Sequence, residues 1–255
     1  MTQNPSLLIS QLLLAKVHHL AGLISLVAGL IAMAVPKAGL GHRRSGRIAL
    51  VAMGILIVLA LILLATYLLP DNPSQGRGPQ LMLYLLVLAW MAGYSLLAGY
   101  RWAAPRRGLP IPAWDIGLAA LGGSGALVSL LGLVWDLSNP PQYDPALMMG
   151  PFGSELTFLL NGGAFLWFAA ADLRVLGQSQ LSDQERTIKH VVRLTMGIYA
   201  LVVGVILVNV APHLFPGLEH PGAYLFSLAA PAVLFVPSNA LLLRQATIKE
   251  KSNKK

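Results

Sequence analysis

The stretch Ile48-Ala-Leu-Val-Ala-Met-Gly-Ile-Leu-Ile-Val-Leu-Ala-Leu-Ile-Leu-Leu-Ala-Thr-Tyr-Leu-Leu69 carries no charged residue from end to end. The hydrocarbon core of a bilayer, about 30 Å thick, takes roughly 20 apolar residues in helical form. Lipid offers backbone N–H and C=O groups no outside partner, so a run of this length must satisfy them within itself, as a helix. Working outward, six further segments read the same way. The spans fall at about 9–35, 48–69, 80–101, 114–135, 154–176, 188–212 and 222–243. Breakers separate them: Pro36 with Gly39 and Gly41, Pro70-Asp71-Asn72-Pro73, Pro105 with Pro110 and Pro112, Asn139-Pro140-Pro141, and Pro216-Gly217 with Pro221-Gly222. The expected fold is all-α: one integral membrane domain over 1–255, a polytopic bundle of seven spans, ending in a basic tail at 244–255.

Composition agrees with this reading. Of 255 residues, 56% are hydrophobic and 11% charged, and the mean hydropathy is +0.67. A water-soluble domain carries about a quarter charged residues, so lipid must solvate most of this surface. The net charge of +8 would suggest nucleic acid in a soluble protein. Here the cations sit between apolar runs, which makes the bilayer and its anionic headgroups the expected partners. The absence of cysteine rules out disulfides, thiolate metal sites and a cysteine nucleophile. No internal repeat or soluble domain is visible, and the loop at 136–153 is too short to fold alone. Ala32-Met33-Ala34 resembles a signal-peptidase site, but the preceding segment is too long, lacks a basic leader and contains Lys16, His18 and His19.

Charge orients the chain. All of the 18 Lys and Arg residues except Lys16 and Arg77 fall in the first, third and fifth connectors, at the ends of the spans beside them, or in the tail. Cytoplasmic loops collect such residues, which places the N-terminus outside and the C-terminus in the cytoplasm. Lys16, inside the first span, can snorkel outward.

Polar groups at membrane depth are costly and therefore informative. His18, Gly22, Ser25 and Gly29 share one helix face, where small residues admit either a neighbouring backbone or a flat ligand. His18 is thus either a hydrogen-bonded group in a packing seam or a cofactor or proton-relay residue. The sixth span repeats the pattern with His190, Arg193, Gly197, Ala200 and Gly204. His42, read as part of the first cytoplasmic connector, lies at the depth of His190. Arg43, Arg44, Asp172, Arg174 and Arg193 join them as a polar cluster at the inner face, read as an ion-paired network that holds this connector against the fifth and sixth spans. Asp172 is expected to pair with an adjacent arginine. Bis-histidine haem b needs two imidazoles at one depth. His18 and His190 are on the order of 20 Å apart along the normal at 1.5 Å per residue; His42 and His190 match. Acidic groups near the histidines are too few for a zinc site, and no nucleotide loop, catalytic triad spacing or nucleic-acid surface is present. Asn161-Gly162-Gly163 and Gly122-Gly123-Ser124-Gly125 read as interruptions of their spans, Pro231 and Pro237 as kinks in the last, and Ser182-Asp183-Gln184-Glu185 as a capping box.

The pattern His18-x3-Gly22-x6-Gly29-x7-Lys37-x4-His42-Arg43-x2-Gly46-Arg47, followed by Asp172-Leu173-Arg174 and Lys189-His190-x2-Arg193, resembles a broad group of bacterial multi-pass membrane proteins of unknown function. The resemblance covers about 15–210 and implies a bacterial inner-membrane location. Two departures stand out: Lys37-Ala38-Gly39 has one glycine fewer than the group's connector, and Val191-Val192 replaces bulkier aromatics. The group carries no reaction to transfer. Three functions follow as expectations: a non-enzymatic membrane protein with a structural or headgroup-binding cluster, a haem- or quinone-associated electron-transfer component, or a small-solute or proton-coupled transporter.

Overall fold

The apolar runs form helices whose ends are set by proline, glycine and capping side chains. The structure is a computed structural model and describes residues 5–35, 39–67, 79–103, 113–138, 152–176, 182–215 and 226–233. Among the described residues there are six long helices: α1 (Pro5–Ala34), α2 (Leu40–Tyr67), α3 (Pro79–Ala103), α4 (Ala113–Ser138), α5 (Phe152–Leu176) and α6 (Asp183–Asn209). A single turn, α7 (Ala211–Leu214), follows. Each of the six long helices is apolar enough to cross a membrane, so the chain is an all-helical bundle compatible with multi-pass insertion. Of the expected seventh span at 222–243, residues 226–233 are helical; the remainder lies outside the described residues.

Several boundaries differ from the sequence reading. α2 begins at Leu40 rather than near 48, because no breaker follows Gly41. His42, Arg43, Arg44 and Arg47 are therefore helical residues of α2 and not part of a loop. α6 begins at Asp183, where Ser182 accepts from the Glu185 N–H and Glu185 accepts from the Ser182 N–H, a complete capping box. α4 and α5 run unbroken through their glycine clusters. The cause is close packing: a Cβ at Gly125 would lie 2.5 Å from the Phe165 ring, and one at Gly132 would lie 2.7 Å from the Phe158 ring. Only hydrogen at those positions lets the two helices approach.

Packing joins the helices as antiparallel pairs. Phe158 and Phe165, one heptad apart on α5, meet Gly132 and Gly125, one heptad apart on α4. The α1–α2 hairpin follows the same rule with hydrogen bonds. His18 Nδ1 meets the Leu56 carbonyl at 3.2 Å, Ser25 donates to that of Ala49 at 3.0 Å, and His42 Nδ1 meets that of Ala32 at 2.8 Å. Positions 18, 25 and 32 face 56, 49 and 42, a seven-residue repeat characteristic of left-handed helix pairing. α3 sits at the centre: 61% of its apolar window is buried, against 22% of that of α2. Its Tyr84, Val87, Met91, Tyr94 and Ala98 are wholly enclosed. This arrangement brings the end of α1, the start of α2, the end of α3, the start of α4, the end of α5 and the start of α6 to one end of the bundle.

Candidate functional site

At that shared end the structure separates the expected polar cluster into two groups with different chemistry. The first is a buried clamp between α3, α5 and α6. Arg193 of α6 is 2% exposed and Asp172 of α5 is 6% exposed. Arg193 Nη2 donates to Asp172 Oδ1 at 2.8 Å and to the Phe168 carbonyl at 2.9 Å, while Tyr94 Oη donates to Asp172 Oδ2 at 2.7 Å. The guanidinium also lies 3.8 Å from the Phe168 ring centre and 5.4 Å from that of Tyr94. The planar, weakly hydrated guanidinium suits such an environment, and pairing is what makes either charge tolerable there. Arg193 Nη1 is buried without a hydrogen-bond partner.

This geometry bears out the ion pairing expected of Asp172 and corrects one expectation. Asp172 pairs with Arg193 and not with its sequence neighbour Arg174, which is exposed. Residues two apart on a helix do not share a face. Arg43 and Arg44 are exposed and take no part in the clamp, so it joins α3, α5 and α6 without tying in the first connector.

Further contacts at this end involve residues that the sequence reading did not place in the polar cluster. Arg101 on α3 pairs with the buried Asp115 on α4 at 2.9 Å. Lys189 donates to the Ala171 carbonyl at 3.0 Å and stands 4.9 Å from the Trp102 ring centre. Asp115 was detectable as the one acidic residue opening the fourth apolar run, but its partner was not.

The second group is the histidine pair. The rings of His42 on α2 and His190 on α6 lie 6.1 Å apart, centre to centre, with their planes at 73°. Each Nδ1 is anchored on a backbone carbonyl of another helix: His42 on Ala32 of α1 at 2.8 Å, and His190 on Gly99 of α3 at 2.7 Å. A carbonyl only accepts, so Nδ1 carries the proton in both rings. In the neutral state the lone pair is then on Nε2. The Ala32 carbonyl lies in the last turn of α1, where no helical N–H follows to take it, so His42 also caps that helix. One helical turn beyond His42, a Cβ added at Gly46 would meet nothing within 4 Å, which leaves open space on that face.

His18 stands apart from this pair. Its anchor at Leu56 is two heptads from that of His42, about 21 Å along the hairpin at 1.5 Å per residue. Its small-residue stripe is occupied, because a Cβ at Gly22 would lie 2.8 Å from Leu56 and one at Gly29 would lie 3.1 Å from Ile198. The stripe is a packing seam against α2 and α6, with no gap for a flat ligand. Among the described residues, no group of three or more His, Cys, Asp or Glu could hold a metal ion. No protein-family model, no curated protein and no solved structure matches the chain.

Proposed function

We propose that this chain is a multi-pass protein of the bacterial cytoplasmic membrane, with seven spans, the N-terminus outside and the C-terminus in the cytoplasm. The function this reading assigns is electron transfer, for which His42 and His190 would hold a b-type haem near the cytoplasmic face. The observation that carries this reading is the anchored pair, 6.1 Å between ring centres. At that separation the two imidazoles would be close enough to share one metal ion. A ligating imidazole usually donates its other N–H to a carbonyl or carboxylate, which sets the tautomer and orients the ring. Both rings meet that condition. When bound, the iron would supply an Fe(III)/Fe(II) couple, while the two carbonyl anchors hold the rings in position.

The Arg193–Asp172–Tyr94 clamp belongs to the structural part of this reading, since its ion pair joins three helices by itself. A transporter gains no support from α4, whose Gly122, Gly125 and Gly132 are packed against the rings of Tyr94, Phe165 and Phe158. The test is an absorption spectrum of protein purified in mild detergent from haem-replete cells, before and after dithionite. A Soret band with a sharp α-band on reduction is expected, lost in His42→Ala and in His190→Ala and kept in His18→Ala. A well-folded wild-type protein with no haem absorption would remove the electron-transfer reading and leave a non-enzymatic protein with a structural inner cluster.

A further inference from the structure

Three arginines at the start of α2 differ from the two that are paired at this end of the bundle. Arg101 and Arg193 are each paired with an aspartate. Arg43, Arg44 and Arg47 are exposed, and among the described residues no ion pair or hydrogen bond reaches their guanidinium groups. Three like charges within two helical turns repel one another unless a counter-charge sits among them. Helical side chains lean toward the N-terminus, and the N-terminus of α2 is the end at which the cations gather. The three guanidinium groups therefore extend toward a common level outside the apolar span.

Below them runs a continuous apolar stripe. Arg44, Ile48, Val51, Ile55, Val58 and Ile62 recur at steps of four and three, which is one helix face, and all are exposed. Arg47 stands one turn above Val51 on the neighbouring flank. A polar anionic head joined to a long apolar chain matches this layout at both ends.

We infer that the start of α2 is a binding site for an anionic phospholipid, with its phosphodiester held by Arg44 and Arg47, assisted by Arg43, and one acyl chain lying along Ile48, Val51, Ile55 and Val58. The inference rests on placing the α1–α2 turn at one leaflet's headgroups and is independent of haem. Each arginine near an anionic surface strengthens lipid attraction by about fivefold, and salt weakens it.

Full-length protein in nanodiscs of phosphatidylcholine, with or without phosphatidylglycerol, provides the test. Thermal unfolding and native mass spectrometry of retained lipid are the two readouts. For the wild type at low salt, phosphatidylglycerol should raise the unfolding midpoint and be retained over phosphatidylcholine by at least tenfold. Arg44→Gln/Arg47→Gln should unfold at the wild-type temperature in phosphatidylcholine while losing most of that preference. Arg174→Gln, which removes an exposed charge on α5, should keep it. Equal retention of the two lipids by the wild type would overturn the site, and so would an equal loss in the Arg174 variant. A haem-free protein that still selects phosphatidylglycerol through Arg44 and Arg47 would support the site while the electron-transfer reading fails.

Discussion

Arg193 illustrates what a single residue contributes in this bundle. Its guanidinium has one carboxylate, one carbonyl and two aromatic faces around it. Removing only the carboxylate leaves a buried cation without compensation, a loss of about 3–5 kcal/mol. Asp172→Ala should therefore lower stability in detergent by an amount of that order, measured by chemical unfolding. The double change Asp172→Ala/Arg193→Met should recover part of it, because no buried charge is left to desolvate, while Tyr94 Oη still lacks its acceptor. A double variant as unstable as the single one would show that the clamp does more than neutralise charge. His42 differs in kind: one ring nitrogen caps α1, and the other is the nitrogen to which the proposed function assigns the iron.

At the scale of helices, a seven-residue repeat governs two of the hairpins. In α4–α5 it takes the form of aromatic rings on glycine, where the fit tolerates no added volume. Gly125→Leu should cost about 1–3 kcal/mol by overpacking, with part of the loss recovered by Phe165→Leu. Gly117→Ala, where a Cβ meets nothing within 4 Å, is the matched control and should be neutral or stabilising. Circular-dichroism melts of the three variants compare them directly. In α1–α2 the same repeat is built from side-chain hydrogen bonds to the facing backbone. Polar glue of this sort is modest per bond in a membrane, about 0.6 kcal/mol on average, so its regular spacing serves register more than strength.

For the whole molecule, the lack of native cysteine makes topology directly measurable. Gln75→Cys should react with an impermeant maleimide from outside intact cells. Ala104→Cys and Ser252→Cys should react only after permeabilisation. Labelling of Gln75 and Ala104 from the same side would undo the alternation of spans. Labelling of Ser252 from outside would show that 222–243 does not cross and that the bundle has six spans. Depth assignments for His18, His42 and His190 depend on the first result and are unaffected by the second, since all three lie in α1, α2 and α6.

The existence of the six long helices and the gathering of the described cations at one end were legible in the chain itself, whereas the start of α2 was not. Hydropathy and loop charge are local properties that lipid reads directly. The capping box was legible for the same reason, since its partners are three residues apart. Which arginine meets Asp172, whether a glycine run breaks a helix or admits a phenyl ring, and which two of three histidines stand face to face were decided only by tertiary structure. Each depends on the register of one helix against another, set by steric fit between side chains far apart in sequence. Periodicity places a residue on a face; the neighbouring helix determines what that face meets.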